Sequence, residues 1–216
     1  MKKLIIPILI IVILGIAGIL ILKGQPKKEK VSIPKVETKM PEVKGKKAVM
    51  IIAFREFRDA EYFIPKEILE RAGIEVKTAS NKSGTAIGAD GGDTNVDLLV
   101  SQINVSDFDA IIFVGGPGCL DALDNEDSYK VARETVSQNK VLAAICISPV
   151  ILAKAGVLKG KRATVWNDFA KTQAKILEKE GAIFEDKPVV VDGKIVTANG
   201  PEAAKEFGNA ILELLK

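Results

Sequence analysis

The sequence predicts an α/β domain, a mostly parallel sheet with helices on both faces, preceded by one N-terminal transmembrane helix. Three observations predict it: an uncharged 19-residue run from Leu4 to Leu22, short wholly apolar runs such as AIIFV and VLAAI after residue 46, and helix-length amphipathic stretches alternating with them.

The N-terminal run is bracketed by Lys2, Lys3 and Lys23. At about 1.5 Å per residue it matches the roughly 30 Å hydrocarbon core of a bilayer. It exceeds the usual signal-peptide apolar region, and Ile21-Leu22-Lys23-Gly24 does not resemble a small-residue cleavage site, so an uncleaved anchor is expected over residues 1–23. Lys23, Lys27, Lys28, Lys30, Lys35 and Lys39 outnumber Lys2 and Lys3 across the span. By the positive-inside rule the chain is then a single-pass protein of the cell membrane, with its C-terminal domain facing the cytoplasm. Residues 24–46, rich in lysine and carrying Pro26, Pro34 and Pro41, read as a charged tether, and residues 47–216 as the domain.

Within the domain, Lys47–Phe54 reads as a buried strand, Glu61–Ala72 as a helix stopped by Gly73, and Glu75–Ser80 as a strand, one βαβ unit. The Gly-rich stretch Gly84–Gly92 suggests a hairpin-like excursion. Ala110–Val114 is a strand, a helix spans about Asn125–Asn139, Val141–Ile145 is a strand and Pro149–Ala155 a helix. Arg162–Trp166 suggests a further strand and Phe169–Gly181 a helix. Pro188–Val191 and Lys194–Thr197 flank Asp192-Gly193, a hairpin signal, and Pro201–Leu215 is a terminal amphipathic helix.

Composition excludes several chemistries. There is no histidine, hence no Cys-His or Ser-His dyad and no imidazole metal ligand. With Lys2, Lys3 and the net +6 of residues 23–47 removed from a total of +3, residues 48–216 carry −5, and aromatics make up only 5% of the chain. Nucleic acid is therefore a poor partner. The glycine and lysine spacings of phosphate loops and dinucleotide folds are absent, and two cysteines with carboxylates make a poor metal set, so neither metal nor cofactor is expected.

In such sheets ligands bind beyond the carboxyl ends of the strands. Cys146 lies there, between VLAAI and the Ser148-Pro149 helix start, so its sulfur occupies a sharp strand-to-helix turn facing a helix N-terminus. That setting lowers a thiol pKa, though cysteine is also a common buried filler. Gly115-Gly116-Pro117-Gly118 follows AIIFV and could aim N–H groups at an anion, or be a plain tight turn. Glu61, in a first helical turn, is locally an ordinary macrodipole choice, and gains meaning only if it converges with Cys146 and the glycines. Cys119 is either a second, resolving thiol or a buried residue at the start of a helix.

The runs AIIFVGGPG, AICISPVILAKAGVLKGKRAT, DAEYFIPKEILERAGIEV and DGKIVTANGPEAAKEF together resemble the family spanning the Parkinsonism-associated deglycase DJ-1 and the PfpI intracellular proteases. The resemblance covers nearly all of residues 47–216. It implies a flavodoxin-like fold related to class I glutamine amidotransferase domains, and assembly as homodimers or larger homo-oligomers. It makes Cys146 the elbow nucleophile and Glu61 the glutamate that holds a proton beside it. Gly116 and Ile147 would supply the oxyanion-hole N–H groups. Ile147 stands where protease-like members have histidine, Trp166 near where many deglycase-like members have histidine, and Asn199 where they have arginine, which makes Trp166 and Asn199 the expected pocket residues. The expected partner is then a small carbonyl substrate, or a peroxide if Cys146 serves as a redox sensor or chaperone-like site; peptide hydrolysis is disfavoured because no imidazole can protonate a leaving amine.

Overall fold

A computed structural model describes residues 43–216; the expected membrane anchor at residues 4–22 and the tether up to residue 42 lie outside the described residues. In chain order the elements begin β1 (Lys47–Ile52), β2 (Arg55–Phe57), α1 (Asp59–Arg71), β3 (Glu75–Ser80), β4 (Gly84–Gly88), β5 (Asp93–Val96) and β6 (Leu98–Leu99). Then follow β7 (Ala110–Phe113), α2 (Cys119–Leu123), α3 (Glu126–Ser137), β8 (Val141–Ile145) and α4 (Pro149–Lys154). The chain closes with β9 (Arg162–Ala163), α5 (Thr172–Lys179), β10 (Ile183–Phe184), β11 (Val189–Asp192), β12 (Ile195–Ala198) and α6 (Ala204–Leu215).

The main sheet has seven strands in the order β11-β12-β8-β7-β1-β3-β6. All neighbours run parallel except β11 and β12, the hairpin around Asp192-Gly193. The strands are apolar throughout because both faces are covered, and a two-residue period sorts their side chains. Met50, Ile112, Ala143 and Ile145 face one layer, with Tyr62 and Leu69 of α1 and Phe207 and Ile211 of α6. Val49, Ile111, Phe113 and Ala144 face the other, with Leu123, Val131, Val150 and Leu177 from α2 to α5.

From β1 the chain passes to β3 on one side, then returns through β7 to the other. The crevice between β1 and β7 is thus a topological switch point, and the carboxyl ends of β7, β8 and β12 open beside it. One backbone bond ties the loop before α1 to this end of the sheet: the Arg58 N–H donates to the Gly115 carbonyl at 3.1 Å. Tyr62 locks α1 in place, its hydroxyl 2.6 Å from Thr78 Oγ1 on β3 and 3.0 Å from Thr94 Oγ1 on β5.

Several expectations are corrected. The strand expected at Arg162–Trp166 is only two residues long and pairs in parallel with β10, outside the main sheet. Its chain turns away because the Trp166 N–H donates to the Cys146 carbonyl at 2.8 Å. The helix expected from Phe169 starts at Thr172, after Lys171 in the left-handed region at φ 53°. The Gly-rich excursion is indeed a hairpin: β4 pairs antiparallel with β5, and β2 joins it in parallel as a three-stranded sheet. The last residues of the expected tether are also held by the domain. Val43 is buried, with its N–H 2.7 Å from the Ala72 carbonyl, and Lys46 Nζ lies 3.0 Å from Asp109 Oδ1.

Candidate active site

Cys146 has φ +65°, a left-handed backbone rare for a residue with a Cβ and costing about 1–3 kcal/mol, so surrounding bonds must impose it. The Cys146 N–H donates to the Ala198 carbonyl at 2.8 Å, and its carbonyl accepts from Trp166. Ser148 does the rest. Its buried Oγ accepts the Ile145 N–H at 3.0 Å and lies 2.9 Å from the Phe113 carbonyl and 2.7 Å from the Ile145 carbonyl. Ser148 precedes α4 yet does not cap it with its side chain; it stitches the end of β7 to the end of β8 and sets the elbow.

Glu61 is wholly buried in the first turn of α1, and the Gly115 N–H donates to its Oε2 at 3.2 Å. Gly115 is the common floor. A Cβ there would sit 2.5 Å from Cys146 Cβ and 2.7 Å from Glu61 Oε2, so only glycine lets carboxylate and thiol close over this point. Gly116 has φ +115°, and a Cβ would meet the Glu56 carbonyl oxygen at 2.4 Å; its bare backbone lets the β7 turn nest under the loop carrying Arg58. The N–H groups of Gly116 and Ile147 both reach the Cys146 sulfur.

Burial raises the Glu61 pKa to about 7, against smaller lowering effects of Cys146, the Gly115 N–H and Arg58. Its Oε1 is buried without a hydrogen-bond partner, and the Cys146 thiol is the first of the groups that lower the Glu61 pKa. The Cys146 thiol is pushed up to about 12, first by burial and then by the Glu61 charge, with the two N–H groups opposing. This reverses the lowered thiol pKa expected from the helix start. α4 is only six residues long, and a buried neighbouring carboxylate outweighs its partial charge. Between about pH 7 and 12 the pair therefore holds one proton and one negative charge.

Cys146, Ile147, Gly116, Trp166, Pro201 and Arg58 line a pocket of about 270 Å³ above the pair, and Arg58 is the one charged residue in its lining. Asn199 instead lines a neighbouring depression of about 580 Å³ that shares Trp166 and Pro201 with the first. Cys119 is the first residue of α2, fully buried in the layer with α3 and α4, whereas Cys146 packs against the layer with α1 and α6. Both are free thiols, and burial holds Cys119 well above the ordinary thiol range.

Two residues that shape the site were not singled out from the sequence. Arg58 sits three residues before Glu61, a spacing that places it at the mouth of the same helix. Ser148 looked like a helix cap, and nothing in the sequence marks it as a cross-strand pin.

The profile of the DJ-1/PfpI family matches residues 46–214. The chain belongs to the DJ-1/PfpI family. It is 40% identical over 179 residues to an uncharacterized protein of Methanocaldococcus jannaschii, covering 82% of this chain and 86% of that one. It is 33% identical over 168 residues to a deglycase of Pyrococcus abyssi, covering 78% and 99%. The crystal structure of a ThiJ/PfpI domain protein from Brachyspira murdochii superimposes with a TM-score of 0.75 at 36% identity, covering 79% of this chain and 98% of that one. The fold is the mostly parallel α/β fold of that superfamily.

Proposed function

We propose that the protein transforms small reactive carbonyls, with Cys146 as nucleophile and Glu61 as the group that takes and returns its proton. The observation that carries this is the buried Glu61 carboxylate closing with the Cys146 elbow over Gly115, its pKa raised to about 7 where a general base works best at neutral pH. Relatives named deglycases, in Pyrococcus abyssi and Pyrococcus furiosus, support the substrate class.

The substrate in this reaction is a 2-oxoaldehyde. Glu61 takes the thiol proton as sulfur attacks the aldehyde carbon. The carbonyl π pair moves to oxygen, which the N–H groups of Gly116 and Ile147 steady and Glu61 then protonates, giving a hemithioacetal. Glu61 removes the hydrogen on that carbon and returns a proton to the adjacent carbon, while the hydroxyl proton of the hemithioacetal passes to the neighbouring ketone oxygen, leaving a thioester of a 2-hydroxy acid. Water hydrolyses the thioester and restores the thiol, with no external oxidant or reductant. Peptide hydrolysis is disfavoured because no imidazole stands ready to protonate a leaving amine. In the test, the full-length chain is given methylglyoxal and lactate is measured; turnover should vanish in Cys146→Ala and Glu61→Gln, and turnover surviving in both would overturn the reading.

One observation favours a second reading. The unpartnered Glu61 Oε1, once protonated, would donate to an oxygen of a Cys146 sulfinate, formed by two equivalents of peroxide that each leave as water. Stoichiometric gain of two oxygens without carbonyl turnover would select this redox-sensing role.

The reading includes a single-pass anchor at residues 4–22 with the domain on the cytoplasmic side, supported by the uncharged run and lysine bias. Resistance of the chain to carbonate extraction from membranes, and its protease sensitivity only from the cytoplasmic side, would test it. The reading also includes a homodimer or larger assembly, as the family resemblance implies, with half-exposed Phe63 and Ile64 of α1 as apolar surface; light scattering decides it.

A further inference from the structure

Arg58 is not used by the proposed reaction, yet among the described residues lining the reactive pocket it is the one cationic side chain. Its position is built. Asp59 next to it accepts the N–H of Asp90 at 2.8 Å and of Gly92 at 2.6 Å, clamping the turn between β4 and β5. That turn is shaped around the carboxylate: a Cβ at Gly88 or Gly92 would lie 2.2 or 2.3 Å from an Asp59 oxygen. Asp90, so fixed, receives Arg58 Nη1 at 2.8 Å. This single bond uses one of the five donors of the guanidinium, whose side chain keeps 32% of its exposure. The Gly-rich segment thus serves as a bracket that holds a cation beside Cys146.

The charge is needed there for one class of ligand. Above neutral pH the Cys146–Glu61 pair carries one negative charge, which repels an anion entering the pocket. A guanidinium with free donors at the rim offsets that repulsion and matches a carboxylate in shape.

We infer that Arg58 makes the pocket selective for carbonyl compounds that carry a carboxylate, namely 2-oxoaldehydes with an acidic tail. The inference rests on the carbonyl reading for its substrate, and its test separates the two. The full-length chain in detergent is alkylated with iodoacetate and, separately, iodoacetamide, reagents of nearly equal size that differ in charge, and labelling of Cys146 is followed by mass spectrometry. Relative to a free thiol, iodoacetate should be favoured, and added salt should weaken the preference. Arg58→Met should lower the iodoacetate-to-iodoacetamide rate ratio about tenfold, the size of one charge-assisted hydrogen bond. Arg58→Lys should keep most of it, and Arg58→Gln should behave as Met does, which guards against a folding artefact of one variant. An unchanged ratio, or equal loss with both reagents, overturns the inference. In parallel, kcat/KM is compared for 4,5-dioxopentanoate, which would give 2-hydroxyglutarate, and methylglyoxal. The ratio should favour the acid and fall about tenfold in Arg58→Met. A normal alkylation ratio shift with no turnover of either compound would sink the carbonyl reading and leave the charge selection standing.

Discussion

Cys119 and Cys146 each follow the carboxyl end of a central strand, six residues after β7 and one residue after β8, yet the chain treats them oppositely. Cys119 begins α2 with an ordinary helical backbone and is sealed in one apolar layer; Cys146 is held at φ +65° beside a carboxylate and a pocket. Burial is the largest cause that raises both thiols. The difference teaches that, in the proposed reaction, the chemistry comes from the neighbours the backbone supplies: Glu61 to take a proton, and the N–H groups of Gly116 and Ile147 to hold charge. A cysteine at a strand end, without these, is packing material.

The sharpest way to break the comparison is to exchange the losses. Cys146→Ala should cut methylglyoxal turnover about a thousandfold or more, whereas Cys119→Ala should leave kcat within about twofold. Equal losses would make Cys119 part of the machinery and end the contrast.

Glu61→Gln tests the neighbour rather than the thiol. Because Glu61 has its pKa raised from 4.5 to about 7, the folded state binds this proton more tightly than the unfolded one. The stabilisation is complete below about pH 4.5 and is lost as pH rises through about 7. The Gln variant should therefore be more stable than the natural protein at pH 8, by up to about 3 kcal/mol, with the gain gone near pH 4. Urea melts at the two pH values measure it. The same variant should lose the rise in Cys146 alkylation rate that the natural protein shows as pH passes about 7, where Glu61 becomes available as base. A gain in stability at pH 4, or an unchanged alkylation profile, would show that the pair does not share its proton.

Ser148→Ala sharpens the role of the backbone. It removes the acceptor of the buried Ile145 N–H and should cost about 2 kcal/mol in a urea melt, with turnover reduced and Cys119 still unlabelled in the native protein. Loss of stability without loss of turnover would show that the elbow holds without its pin. The smallest effect is on stability in Cys119→Ala, about 1 kcal/mol for the void left by a buried sulfur; a neutral result would show that α2 collapses onto it.

How much of this the sequence carried depends on how local each feature is. The strands KAVMII, AIIF and VLAAI are continuous apolar runs, and a two-sided sheet is the only good place for them. The Asp192-Gly193 hairpin and the position of the Cys146 elbow after VLAAI are legible from neighbouring residues, although distant Ala198 and Trp166 hold the backbone of the elbow. β2 and β9 are three and two residues long and exist only through partners distant in sequence, so they leave no period to read. The β-rich look of Arg162–Trp166 misled because Trp166 is drawn to the Cys146 carbonyl instead of to a strand. Of the site, Cys146, Glu61 and Gly116 were legible through motif order. Asn199 fell in the neighbouring depression, and Arg58 entered the pocket through a clamp spanning some thirty residues, from Asp59 to Gly92. The thiol pKa was read with the wrong sign, since desolvation depends on what the fold packs around a group and leaves no mark on the residues beside it.

The burial of Cys119 has one more consequence. A reagent can reach that sulfur only when the layer of α2, α3 and α4 parts from the sheet, so its labelling rate under native conditions reports the free energy of that opening, as amide exchange does for a backbone N–H. Cys146 meanwhile reports on the pocket. With two cysteines in the whole chain, one mass spectrum of one sample separates breathing of the scaffold from chemistry at the site, and any ligand that slows both labels must be steadying the entire sheet.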